Sequence, residues 1–77
     1  MSTSRGRCEP IASNIRAELA RRGITQIEVA EALGLTLSAA SRRIRGRIPI
    51  SAVELKQFAE LLGVSADSLL TEYEGAA

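Results

Sequence analysis

Four of the six residues from Arg42 to Arg47 are arginine (Arg42, Arg43, Arg45, Arg47), and residues 36–50 contain no acid. Three hydroxyls, Thr36, Ser38 and Ser41, stand just ahead of them. A guanidinium is a rigid fork of N–H donors that fits a phosphate or the O6 and N7 edge of guanine. Hydroxyls bond base edges or phosphate oxygens equally well. The chemistry on offer is recognition of a polyanion, with donors in excess and no opposing carboxylate.

The net charge of +1 conceals this, because the charge is unevenly spread. Residues 1–35 carry five Arg against four Glu (+1), residues 36–50 carry four Arg (+4), and residues 51–77 carry one Lys against four Glu and one Asp (−4). A basic centre beside an acidic C-terminal part points to an anionic partner on one face. Nine of the ten basic residues are Arg, the better fork for both phosphate and guanine.

Other chemistries find no residues to carry them. There is no His, and Cys8 is the single cysteine, so neither a Cys/His metal set nor an intrachain disulfide can form. No carboxylate pair sits in an apolar pattern, and no Gly-rich phosphate loop follows a strand. An enzyme, a metal site, a cofactor and a small-molecule ligand are therefore not expected. The N-terminus has no apolar signal region and no apolar run could span a bilayer, so a cytoplasmic protein without a membrane partner is expected.

Seventy-seven residues make one small domain with a stability of about 5–10 kcal/mol. Phe58 and Tyr73 are the only aromatics, so the core must be aliphatic. Residues 1–9 lack periodicity and read as a flexible arm carrying Arg5 and Arg7. A domain over residues 10–73 and a frayed end over 74–77 follow. A first helix is expected from Pro10, which suits a first turn, with Ile11, Ala12, Ile15 and Leu19 inward and Gly23 closing.

The second helix is capped by Thr25 with Glu28 completing a capping box, and Ile24 staples to Val29. Val29, Ala30 and Leu33 face inward, and Gly34 ends it. Thr36 caps the third helix, which runs to Arg45 with Gly46 after it and Ala40 and Ile44 inward. Ser51 and Glu54 repeat the box for a fourth helix, stapled by Ile50 to Leu55, with Leu55, Phe58, Ala59 and Leu62 as its stripe and Val53 and Leu61 broadening it. Ser65 opens a fifth, where Val64 staples to Leu69 and Leu69, Leu70 and Tyr73 pack. Period-two alternation is missing throughout, so the fold class is all-α, a five-helix bundle.

Between the second and third helices lies Gly34-Leu35-Thr36. Gly permits a sharp corner, Leu35 plugs beneath it, and Ala30 and Ala40 are small where two helices cross. This is the pattern of a helix-turn-helix. With Ala40 and Ile44 inward, Ser38, Ser41, Arg42 and Arg45 project outward.

On Gln26, Ala30, Gly34 and Gly46, set in TQIEVAEALG and SAASRRIRGRIP and followed by ELKQFAELLGVSADSLL, residues 11–70 resemble the phage repressor and Cro-type helix-turn-helix (XRE) family. That resemblance implies a lambda-repressor-like fold whose third helix enters the major groove of a double-stranded DNA operator. It places Thr36, Leu37, Ser38 and Arg42 where base contacts arise, and Gln26 where a phosphate is bonded or a base-reading side chain is braced. Ser41 joins the base-facing set by its outward position. Thr25, Arg43, Arg45, Arg47 and Ser51 are expected on the DNA backbone, through helix N-termini and flanking cations. Two positions depart from the family: a larger aliphatic is common at Ala40, and an apolar residue at Arg43, for which Ile44 substitutes as anchor.

The function expected is a sequence-specific transcriptional regulator, a repressor in type; the resemblance implies two copies pairing on the operator, and the residues leave one copy on an asymmetric site equally open. A second reading is an antitoxin or other protein-interaction module whose acidic fourth and fifth helices cover a protein partner.

Overall fold

The helix boundaries follow from side chains that satisfy the otherwise orphaned backbone groups at each end. In the computed structural model the backbone is described over residues 3–70 and the side chains over residues 10–70. The helices are α1 (Thr3–Arg22), α2 (Gln26–Leu33), α3 (Leu37–Ile44), α4 (Ala52–Leu62) and α5 (Ala66–Leu70). Among the described residues there is no strand, so the all-α class holds. No described helix is long and apolar enough to cross a membrane.

Both expected capping boxes are present. Thr25 Oγ1 accepts from the Glu28 N–H at 3.2 Å while Glu28 Oε1 accepts from the Thr25 N–H at 2.8 Å. Ser51 and Glu54 do the same at 3.1 and 3.0 Å. Thr36 Oγ1 accepts from Ala39 N–H at 3.1 Å, and Ser65 Oγ from Ser68 N–H at 3.2 Å.

α1 to α4 share one manner of ending. The residue after the terminal glycine donates back to a carbonyl near the end of the helix: Ile24 to Leu19, Leu35 to Ala30, Arg47 to Arg42 and Val64 to Ala59, all at 2.9–3.0 Å. In three of the four, that residue is apolar and packs on the core (Ile24, Leu35, Val64), the hydrophobic contact that usually accompanies this motif. At the end of α3 it is Arg47, which is exposed.

Gly34 sits at φ 69°, ψ 35°, and a Cβ built there would meet nothing within 4 Å. The cost of a side chain is therefore purely that of the left-handed backbone. Gly34→Ala should lower stability by about 1 kcal/mol, seen as a fall in Tm of about 4–8 °C for a domain of this size. An unchanged Tm would show that the corner does not need the glycine.

The core is one cluster: Ile15 and Leu19 of α1, Val29, Ala30 and Leu33 of α2, Ala40 and Ile44 of α3, Leu55, Phe58, Ala59 and Leu62 of α4, and Leu69 of α5. Ile11, Ile24, Leu35, Ile50, Leu61 and Val64 pack around it, as expected of the staples and the corner plug. α1 packs on α3, α4 and α5, and α2 packs on α3 and α4. Asn14 Nδ2 donates to the Leu69 carbonyl at 2.8 Å, tying α5 to α1.

The structure differs from expectation at four places. α1 begins at Thr3, with Pro10 inside it, not near Pro10. Seven residues, about two turns, precede Pro10 in that helix, although its ring removes one backbone hydrogen bond and crowds the carbonyl four residues back. α3 ends at Ile44, with Arg45 as its cap. Val53 does not broaden the apolar stripe: it is 69% exposed, because at 100° per residue it stands well away from Leu55 and Phe58. Leu70 is 48% exposed, one residue round the helix from buried Leu69. Tyr73, the expected frayed end and the side chains of Arg5, Arg7 and Cys8 lie outside the described residues.

Candidate nucleic-acid interface

α3 presents two unlike sides. Ala40 and Ile44 are buried at 0% and 4% exposure and fix the helix to the bundle. At 100° per residue, Ser38, Arg42 and Arg45 then lie away from that side, and all three are exposed. Ser41 lies at the edge and is half-buried. Leu37 lies in the first turn and is 49% exposed.

Apart from Leu37, the first turns of this helix hold small residues (Ser38, Ala39, Ala40, Ser41), so its axis can come close to a surface laid against it. Thr36, at the N-cap, is exposed. Its hydroxyl accepts the capping bond. A hydroxyl has one donor and two acceptor sites, so capping leaves the O–H free to donate. The same holds for Thr25 and Ser51, the caps of α2 and α4, both exposed. Gln26, the first residue of α2, is half-buried beside Thr25. The expected hydroxyl and amide positions thus sit at three helix N-termini, where the backbone N–H groups and the helix dipole favour an anion.

The arginines divide by partner. Arg21 and Arg22 both pair with Glu18 at the end of α1. Arg16 Nη1 donates to the Ile44 carbonyl at 2.9 Å. Arg42, Arg45 and Arg47 lie at the surface, and among the described residues none has an ion pair or a side-chain hydrogen bond. Three uncommitted guanidinium groups on six consecutive residues make this the most cationic part of the described surface.

Arg43 does not join them. Its side chain is only 17% exposed, its Nη1 donates to the Ala39 carbonyl at 2.9 Å, and its Nε lies 2.9 Å from Glu54 Oε2. Nε is buried without an aligned acceptor, so the contact with Glu54 is an ion pair held by charge and proximity. The backbone-contacting role expected for Arg43 meets a guanidinium already turned to α4. The reason is angular: Arg43 follows Ala40 by three residues and borders the buried side of the helix.

Glu54 serves both elements at once. One carboxylate oxygen caps α4 through Ser51 N–H and the other faces Arg43. The Arg43 guanidinium holds its carboxyl below the ordinary value near 4.5, against partial burial, with the Ser51 bond assisting. A depressed carboxyl contributes stability that is fully present above its ordinary value and is lost as pH falls through the lowered one.

Sequence reasoning did not find Arg16. Its partner is a backbone carbonyl 28 residues away, and no local pattern announces such a bond. The family model described as helix-turn-helix matches residues 15–69. Comparisons with curated proteins and with solved structures gave no match.

Proposed function

The chain belongs to the Cro/C1-type helix-turn-helix family of DNA-binding regulators, and on that premise we propose that it is a sequence-specific repressor that lays α3 in the major groove of duplex DNA. The observation that carries this reading is the unpartnered surface set Arg42, Arg45 and Arg47 around a helix whose other side is anchored in the core. Arg42 reads a guanine, with Thr36, Leu37, Ser38 and Ser41 meeting neighbouring base edges or a thymine methyl. Thr25, Gln26, Ser51, Arg45 and Arg47 hold the phosphate backbone and set the register. Two copies on a pseudo-palindromic operator place half-sites about 34 Å apart. Leu70 is available to a contact between the copies; Leu69 is not, being buried.

A gel shift at two salt concentrations tests the reading against a protein-binding module. Phosphate contacts release counterions, so DNA affinity must fall steeply with salt. A chain that binds duplex weakly at both concentrations would favour a protein partner instead. Within the DNA reading, Arg47→Ala should weaken all duplexes alike and flatten the log–log salt slope by about 0.9, the share of one phosphate. An unchanged slope would remove Arg47 from the backbone set.

A further inference from the structure

The C-terminal end of α3 is held differently from those of α1, α2 and α4. Where they lay an apolar residue on the core after the glycine, α3 has exposed Arg47. In place of that packing the end is gripped from two sides. From α1, Arg16 Nη1 reaches the Ile44 carbonyl at 2.9 Å, a cation at the negative end of the helix dipole. Towards α4, Arg43 Nε meets Glu54 Oε2 at 2.9 Å while Arg43 Nη1 bonds Ala39 one turn back. Glu54 is itself fixed, because its other oxygen closes the cap of α4.

We infer that Arg43 is a positioning residue: it acts through Glu54 to set the angle of the recognition helix and makes no contact with DNA. This rests on the DNA-binding reading above. A phosphate ligand needs an accessible guanidinium, whereas this one is largely covered and lies against a carboxylate that a phosphate would have to displace. A pair that is partly buried costs more to break than an exposed one, because the partner left behind keeps its charge. Misaligning a helix by a fraction of an ångström spoils bidentate bonds to a base edge, whose geometry is strict, more than bonds to phosphate, which a flexible side chain can recover.

The test compares Arg43→Gln, Glu54→Gln and the double variant. Glutamine at residue 54 retains a capping-box acceptor, so Glu54→Gln removes the ion pair while keeping α4 capped. Each protein is titrated by fluorescence anisotropy into two duplexes across a salt series: the best sequence selected from a random pool by the wild type, and a scrambled one. Circular dichroism gives the folded fraction, by which the affinities are corrected. The salt slope belongs to the folded complex alone, so a less stable variant does not imitate either result.

Positioning predicts that each single variant lowers the ratio of specific to non-specific affinity by about tenfold, within the range that one bidentate base pairing contributes to discrimination. The double variant should fall no further than either single one, and Arg43→Gln should keep the wild-type slope. The inference is overturned if Arg43→Gln flattens the slope by about 0.9, or if Glu54→Gln leaves the specificity ratio unchanged. If the wild type binds neither duplex, the DNA reading itself fails, an outcome separate from either.

Discussion

Phe58→Ala should cost about 3–5 kcal/mol of folding stability, the usual penalty for deleting a buried aromatic ring. Phe58 has no exposed surface and is the largest fully buried side chain among the described residues. It sits on α4, which packs against α1, α2 and α5. The rest of the core is Leu, Ile, Val and Ala, each smaller than the deleted ring. Set against a total of about 5–10 kcal/mol, the loss removes much of the stability of so small a domain. Urea unfolding followed by circular dichroism measures it directly. A loss below about 1 kcal/mol would mean that the ring is not central to the packing. Phe58→Leu, which refills part of the volume, should cost far less.

Arg42→Ala should weaken binding to the cognate site by about 1–3 kcal/mol while leaving folding stability within about 0.5 kcal/mol of wild type. The two expectations have one cause. Arg42 is exposed and has no partner among the described residues, so none of their contacts depends on its guanidinium. It stands away from Ala40 and Ile44, on the side of α3 that the bundle leaves open. On the proposed reading this fork holds a guanine, and deleting it should relax the choice of base at that one position and nowhere else. Competition among duplexes differing at single base pairs reads this. Equal weakening on every duplex would instead make Arg42 a phosphate anchor and reverse its division of labour with Arg47.

Much of this architecture is written in local sequence. Thr25 with Glu28, and Ser51 with Glu54, act within one turn, so their capping boxes can be read without knowing the fold. Gly23, Gly34, Gly46 and Gly63 mark helix ends because each takes positive φ there. The inward residues Ala40 and Ile44 are one i, i+4 apolar pair, although the same spacing would admit Leu37, which is exposed. Periodicity, fully applied, would have separated Val53 from the stripe of α4 and placed Arg43 beside the buried side of α3. Composition argued the other way, since Val is apolar and Arg43 stands in a row of arginines.

The rest depends on distant parts of the chain. Asn14 meets the Leu69 carbonyl across 55 residues, and Arg16 meets that of Ile44 across 28. Such bonds answer to the packing of whole helices, and an Asn or Arg half-covered in α1 has no pattern to betray its target. Arg43 and Glu54 belong to the same class. Each sits in a locally legible element, a basic helix end and a capping box, and their pairing appears only when α3 and α4 are laid side by side. This is why the cluster of four arginines, uniform in sequence, divides in the structure into three that face outward and one that faces in.

Selection of bound duplexes from a random pool tests most directly whether α3 reads the sequence of duplex DNA. The expected result is enrichment of a short motif that contains at least one invariant guanine, with Arg42→Ala losing the preference at that position while the remainder of the motif persists. Recovery of an unenriched pool, from a protein that is folded and at low salt, would contradict it.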